Sequence, residues 1–527
     1  MKYIVVTGGV ISGIGKGITS SSIGALFQSL GYSVTMIKID PYLNVDAGTI
    51  SPYEHGECFV LGDGGECDLD LGNYERFLNV ELTREHNITT GRIYKAVIEK
   101  ERHGDYLGAT VQIVPHITDE IIAHISRVSH IDIKGKIPDI CIIEIGGTIG
   151  DIEGLPFIEA LQQMKAVMDD DFCFVHVAMA ITNPELKTKP IQHSISTLRS
   201  RGIFPNLLVI RSKEPLPIEI KSKLHRLCQI NPEDIISNHN VPTIYHVTEV
   251  FSQQNICQRI GRVIGIKTPP ISTGGPHTNI IAYYRNREKI KKINMGIVGK
   301  YKGSPDTYLS LVSAIEHASF TLNIETVITW ISSDDGQIAD LDIYDCFIIA
   351  GGFGSRGILD KLKVARHARE KKIPILGICL GMQVMVVDSL RCIGLNATSR
   401  EWTDHLPEGE ICFVIDLLQG QTDIKGGTMR LGNYPAILTS HKLKKIYGSE
   451  VITERHRHRY EVNNKYVEDI NRSGLYISSV GKDSNDLVEI VELEDHPFYV
   501  GCQFHPEFQS YYNKPHPLFV SLLEMCI

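Results

Sequence analysis

At 527 residues the chain is several times the ~150 residues of a typical domain, so more than one core is expected. Hydrophobic residues make up 43% and charged residues 22%, which excludes chain-wide disorder, and a net charge of −9 argues against a nucleic-acid binder acting through its bulk field. No run reaches the ~18 apolar residues of a membrane span. The start, Met1 to Gly9, reads as a strand entering a glycine loop rather than a signal peptide, and the 12 cysteines form no Cys-x-x-Cys, so a reducing, cytoplasmic setting is expected.

In chain order, residues 1–265 alternate short apolar runs (3–7, 34–39, 140–145, 172–178 and 207–210) with helical patterns. Continuous apolar runs of this kind predict parallel strands buried on both faces, hence a doubly wound α/β domain over 1–265. Residues 266–276 are rich in Pro, Gly, Ser and Thr and open a linker placed at 266–292. The β-runs restart at 293–298, 346–350, 373–376 and 499–504, predicting a second α/β domain over 293–527.

The first strand runs into Gly8-Gly9-Val10-Ile11-Ser12-Gly13-Ile14-Gly15-Lys16-Gly17-Ile18. Glycines let backbone N–H groups wrap a phosphate, a following helix offers its positive end, and Lys16 supplies a cation. The loop departs from the standard P-loop: five residues separate Gly9 from Gly15, and Gly17 stands where a metal-binding hydroxyl would follow the lysine. Metal ligands must then come from elsewhere. Asp68 and Asp70, at period two, share a face if the segment is extended, and Glu144 ends an apolar run where nucleotide-binding sheets place ligands. Each acid is equally readable as a solvated or capping residue. Lys38 lies inside an apolar run, where burial of an unpaired ammonium is costly, so it is either a phosphate contact or a snorkelling edge-strand lysine. Lys187, Thr188, Lys189, Pro190, Ile191 and Gln192 concentrate cations and hydrogen-bonding groups, with Lys221 and Lys223 nearby; a solvated charged face fits them as well.

In the second half, an apolar strand ends in Gly377-Ile378-Cys379-Leu380-Gly381, the thiol form of a nucleophile elbow. The helix that follows would lower the thiol pKa and offer the Leu380 N–H to an oxyanion. His505 and Glu507 flank Pro506; in an extended segment they share a face, so Glu507 would orient the ring of His505 as base. Gly351-Gly352 follows another strand, and Gly352 would complete the oxyanion hole. Arg455-His456-Arg457-His458-Arg459 reads as a strand with Arg and His on opposite faces, not as a nucleic-acid or metal tract.

Taken together, these segments resemble the CTP synthase family, glutamine amidotransferases with an N-terminal ATP-dependent synthetase domain. The resemblance spans the chain and is carried by VTGGVISGIGKG at 6–17, KIDPYLNVDAGTISPYEHGE at 38–57, DLDLGNYERF at 68–77, EIGGTIGDIE at 144–153 and KTKPIQHS at 187–194. GGFGSRG at 351–357, GICLGMQ at 377–383, RHRHRYEVNN at 455–464 and QFHPEF at 503–508 resemble class I glutamine amidotransferase elements. It implies Cys379, His505 and Glu507 as the catalytic triad, and a glutamine site of Gly352, Leu380, Gly381, Met382, Gln383, Glu401 and either Arg457 or Arg459, of which Arg459 is chosen. It implies ATP contacts at Ser12, Gly13, Ile14, Gly15, Lys16, Gly17, Ile18, Lys38 and Asp70, and Mg²⁺ held by Asp70 and Glu144. For UTP and the feedback inhibitor CTP it implies Ser12, Asp151, Ile152, Glu153, Lys187, Thr188, Lys189, Pro190, Ile191, Gln192 and Lys223. His55-Gly56-Glu57 resembles the mouth of an ammonia tunnel. GTP activation, CTP inhibition and a homotetramer are further implied, with no nucleic-acid or membrane partner. Two other readings remain: a cobyrinate-type amidase with a carboxylate acceptor, and a filament-forming scaffold.

Overall fold

The computed structural model describes residues 1–183, 185–271, 275–300, 305–332, 340–402, 410–418, 426–482 and 486–527. Part of the expected linker, 272–274, lies outside them. Two compact units emerge: Met1–Asp46 with Asp70–Arg285, and Ala47–Leu69 with Asn286–Ile527. The segment 47–69 thus packs with the second unit, although sequence boundaries group it with the first.

In the first unit the apolar runs become β1 (Lys2–Gly8), β2 (Val34–Asp40), β3 (Asn87–Thr89), β4 (Ile140–Ile145), β5 (Phe172–Met179), β6 (Leu207–Ser212) and β7 (Ile235–His239). Among the described residues they form a seven-stranded sheet in the order β7-β6-β5-β1-β4-β2-β3, every pairing parallel. Ile4, Val5 and Val6 on β1 and Ile142 and Ile143 on β4 are fully buried, as strands covered on both faces require. Helix α1 (Lys16–Ser29) follows β1, and α2 (Leu69–Leu78) and α3 (Lys189–Ser200) carry further candidate residues. The loops after β1, β2 and β4 gather at one edge, the carboxyl ends of adjacent parallel strands, where such sheets bind ligands.

The second unit is built on β8 (Lys292–Gly299), β9 (Glu325–Ser332), β10 (Cys346–Ile349), β11 (Ile375–Ile378), β12 (Arg430–Leu438), β13 (Val451–His458), β14 (Leu475–Gly481), β15 (Val488–Leu493) and β16 (Tyr499–Cys502). The described residues give a nine-stranded sheet ordered β9-β8-β10-β11-β16-β15-β14-β12-β13. The first five strands run parallel and the rest join antiparallel. Period two divides the core cleanly: Phe347 and Ile349 of β10 enter the cluster on one face, Cys346 and Ile348 that on the other. Helices α4 (Ile358–Lys371) and α5 (Leu380–Cys392) pack on the first of these faces through Val364, Ala365, Met385 and Val386. Both units are α/β, as the alternation of runs predicts.

Candidate active sites

In the first unit, pairing register assembles the site. Lys38 on β2 lies directly across from Glu144 on β4, and Glu144 also pairs with Val6 on β1. Lys38 is therefore an interior-strand residue, not an edge lysine, and burial of its ammonium demands partners. It has three: it bonds Asp70, lies 3.3 Å from Glu144 Oε1 and 3.7 Å from Asp40 Oδ1. Tyr74 donates to the other oxygen of Glu144, and Asn87 Nδ2 donates to Asp40 Oδ2 at 2.8 Å. Burial pushes the carboxyl groups of Asp40 and Glu144 up to about 6, against the pull of Lys38. Lys16 opens α1 with its ammonium on the Gly147 carbonyl at 2.8 Å, and burial lowers its pKa.

Asp70 reaches this cluster by a route the period-two reading did not foresee. Asp68 precedes the helix and Asp70 lies in the first turn of α2, so the two are not alternate residues of an extended segment. Gly17 explains the approach: a Cβ there would overlap Asp70 Oδ1. The carboxylate thus occupies the place beside the phosphate loop where the standard hydroxyl would stand. An all-oxygen donor set next to a phosphate loop suits Mg²⁺, which takes one or two carboxylates and leaves its other positions to phosphate and water. Asp70 and Glu144 fit that demand; among the described residues no group of three or more His, Cys, Asp or Glu forms a protein-only metal cage.

The other expected nucleotide contacts fall into two kinds. Ser12 and Gly13 are exposed on the phosphate loop, whereas Ile14 is buried. Asp151 accepts from the Thr148 N–H at 2.7 Å and its hydroxyl at 2.6 Å, bracing the loop after β4, while Ile152 and Glu153 are exposed. Lys187, Lys189 and Lys223 are exposed, Pro190 is partly buried, and Gln192 donates to Thr188 Oγ1 at 2.9 Å. Ile191 belongs to an apolar core cluster with Ala178 and Ile195.

In the second unit, β11 runs into Cys379, whose φ of 51° and ψ of −103° mark the strained turn into α5. The Cys379 N–H donates to the Cys502 carbonyl of β16 at 2.7 Å, which fixes the elbow to the sheet. Gly351 lies against both reacting side chains: a Cβ there would sit 2.9 Å from His505 Cε1 and 3.6 Å from Cys379 Cβ. His505 Nδ1 bonds Glu507 Oε1 at 2.7 Å, and Phe508 stacks on the imidazole. Burial disfavours the imidazolium, but Glu507 and the Cys379 sulfur outweigh it and push His505 up to about 10. Thiol, ring and carboxylate stand in the order that covalent catalysis needs.

A cavity of about 600 Å³ opens on Cys379 and His505. Of the expected glutamine-site residues, Gly352, Glu401 and Arg459 line it. Glu401 accepts from the Gly354 N–H at 2.7 Å, and burial raises its pKa. Arg457 also reaches the wall, but its guanidinium is tied to Glu66 at 3.0 Å. Leu380 and Gly381 form the first turn of α5 behind the thiol, and the side chains of Met382 and Gln383 are buried away from the cavity. His456 and His458 are buried and share a 3.1 Å hydrogen bond, in line with the strand reading.

Sequence reasoning missed three parts of this site. Lys300, at the end of β8, donates to Phe353 O at 2.7 Å and to Gly354 O, holding the Gly-Gly loop. Lys361 on α4 donates to Val298 O at 2.9 Å and Ala350 O at 3.0 Å, and burial brings it down to about 7. A lysine closing an apolar run is a usable signal for Lys300. Gly48, Thr49, Ile50 and Cys58 also line the cavity, beside Glu57 of the segment likened to a tunnel mouth, though nothing local announces that they face Cys379.

A strained cysteine elbow on a parallel strand, with a His–Glu pair beside it, is the arrangement expected of a class I glutamine amidotransferase, here joined to a unit with a glycine loop ahead of a helix. Comparison with known proteins agrees: the family models described as CTP synthase N-terminus and glutamine amidotransferase class-I match residues 2–266 and 304–525. The CTP synthase of Methanothermobacter thermautotrophicus is 46% identical over 535 residues, covering 100% of this chain and 98% of its own length. That of Methanococcus maripaludis is 46% identical over 547 residues, covering 100% of both. Among solved structures, the glutaminase domain of Trypanosoma brucei CTPS with bound acivicin is 33% identical, covering 44% of this chain and 93% of that one at a TM-score of 0.41. The chain belongs to the CTP synthase family, and its activity is that family's: a glutamine-hydrolysing, ATP-binding ligase of pyrimidine biosynthesis that makes CTP. No helix among the described residues is long and apolar enough to cross a membrane.

Proposed function

We propose that the two units divide CTP formation between the side chains described above. In the second unit Cys379 attacks the glutamine amide, His505 oriented by Glu507 moves the protons, and the N–H groups of Gly352 and Leu380 hold the oxyanion. Glu401 and Arg459 hold the amino-acid end of glutamine. Ammonia leaves, and water hydrolyses the glutamyl thioester. In the first unit the γ-phosphoryl group of ATP passes to O4 of UTP; ammonia then displaces phosphate at C4, giving CTP, ADP and inorganic phosphate. Lys16 and Lys38 neutralise the transferring group. Asp70 and Glu144 would hold Mg²⁺, which when bound shields the phosphate oxygens. Ser12, Asp151, Ile152, Glu153, Lys187 to Gln192 and Lys223 would receive UTP or CTP; for Ile191 this means its backbone, since its side chain is in the core. GTP activation, CTP inhibition, a homotetramer and a cytoplasmic location complete the reading, supported by family membership.

The observation that carries the synthetase half is the set of two lysines and three carboxylates gathered at the carboxyl edge of the sheet from strands and helix starts. Its test is CTP formation from UTP and ATP with glutamine or ammonia: both donors are expected to serve, and inertness of UTP with both would overturn it. Gly17→Ala probes the proposed metal ligand without touching its charge. Alanine favours the helix over glycine by ~1 kcal/mol, which offsets the cost of pushing Asp70 aside from Lys38. We expect ammonia-dependent synthesis to fall about tenfold with a raised Mg²⁺ requirement and an unchanged melting temperature. A parental Mg²⁺ curve would remove Asp70 from the site.

A further inference from the structure

The surroundings of the Cys379 sulfur contain a group that neither the triad nor the oxyanion hole uses. Gln503, two residues before His505, is 1% exposed, and its Nε2 lies 3.6 Å from Cys379 Sγ. Its Oε1 accepts from Gln383 Nε2 at 3.2 Å, and the same Gln383 nitrogen donates to the Tyr460 carbonyl at 2.9 Å. Backbone bonds hold both ends: the Gln503 N–H donates to Glu489 O at 2.9 Å and the Gln383 N–H to Cys379 O at 3.2 Å.

The direction of this chain is dictated by its one fixed acceptor. A backbone carbonyl only accepts, so Gln383 turns its NH₂ group toward Tyr460. That NH₂ group also faces Gln503, which must answer with its oxygen. Gln503 is then left with its own NH₂ group toward the sulfur. A thiol is a weak acceptor and a thiolate a much better one, so the contact favours the ionised form.

Taking Cys379 as the glutaminase nucleophile, we propose that Gln503 is a further catalytic residue, whose amide N–H stabilises the Cys379 thiolate and is aimed at it by Gln383 and the Tyr460 carbonyl. It acts twice. Before attack it holds the electron pair that forms the S–C bond. When water adds to the thioester, the C–S bond breaks and its electron pair returns to a sulfur already provided with a donor.

The test follows alkylation of Cys379 by iodoacetamide in the full-length protein, with the modified peptide identified by mass. In Gln503→Leu, alkylation at pH 7 is expected to be about tenfold slower than in the parent, the worth of a hydrogen bond to a charged group, and to approach the parent rate at pH 10. Glutaminase kcat falls by a similar factor with KM nearly unchanged. Gln503→Glu, with a carboxylate facing the sulfur, is slower still. Gln383→Leu combined with Gln503→Leu leaves no orphaned amide and so controls for misfolding; it should show the same pH-dependent defect. Parental alkylation at pH 7 in the double variant would overturn the proposal. If Cys379→Ala meanwhile loses glutamine use, only the role of Gln503 fails; if Cys379→Ala keeps it, the assignment of the nucleophile fails as well.

Discussion

Cys379→Ala is expected to lower glutamine-dependent CTP formation by about 10⁴-fold or more, the scale of removing a covalent nucleophile, while ammonia-dependent synthesis stays within about twofold of the parent. The asymmetry follows from what the thiol does: it only releases ammonia, and free ammonia bypasses it. The side chain is small and nearly buried, so its loss leaves a void of one sulfur atom beneath the cavity and little strain. His505 should respond too. Part of what holds its imidazolium to about 10 is the Cys379 sulfur, so its titration midpoint, followed by NMR, should move down in the variant. Equal loss with both nitrogen donors would contradict the division of labour between the units.

Lys16→Ala should abolish synthesis with either donor, by on the order of 10³-fold, in the range of removing a cation from a phosphoryl-transfer site. Basal glutaminase activity should persist, because Lys16 belongs to the other unit. The residue is 7% exposed and its ammonium rests on the Gly147 carbonyl, the loop that follows Glu144. Losing it removes one of the two charges that offset three carboxylates, Lys38 being the other, and also a tie between the glycine loop and the loop after β4. Lys16→Arg separates these effects: it keeps the charge on a larger, planar group, and recovery of glycine-loop stability without recovery of rate would locate the role in phosphate contact. Undiminished ammonia-dependent activity in Lys16→Ala would sink the phosphate-loop assignment.

What could be read in the sequence was whatever is local. The elbow at Cys379, the His-Pro-Glu segment and the glycine loop before Lys16 each need a fixed spacing within a dozen residues, and that spacing is visible in the chain. Strand runs were visible for the same reason, since burial on both faces writes continuous apolar stretches. Lys38 was ambiguous because its answer lies across the sheet: only the β2–β4 register shows that it meets Glu144. Asp70 was found for an incomplete reason. Its type and neighbourhood pointed to the site, but a helix start after Asp68 replaces the assumed strand. Gln383 belongs to the expected glutamine site, and the sequence could not show that its side-chain nitrogen bonds Tyr460 and Gln503, partners 77 and 120 residues away. Lys361 sits among apolar neighbours at helical spacing, and the carbonyls it serves are on β8 and just after β10, so no periodicity could reveal it.

The placement of residues 47–69 has a consequence for how the molecule is made and how it can be divided. The polypeptide passes between the units three times, at 46/47, 69/70 and 285/286. A cut at the linker therefore does not yield a whole second unit: a fragment starting at Asn286 lacks the stretch that supplies Glu57 and Cys58 to the cavity wall and Glu66 to Arg457. During synthesis the early stretch emerges long before its partners, since Glu66 and Arg457 are 391 residues apart. Loop-closure entropy grows only slowly with such a span, so the equilibrium cost is modest, but contacts of this range form late. The cavity beside Cys379 is therefore completed only after Arg457, Arg459 and His505 have been added to the chain.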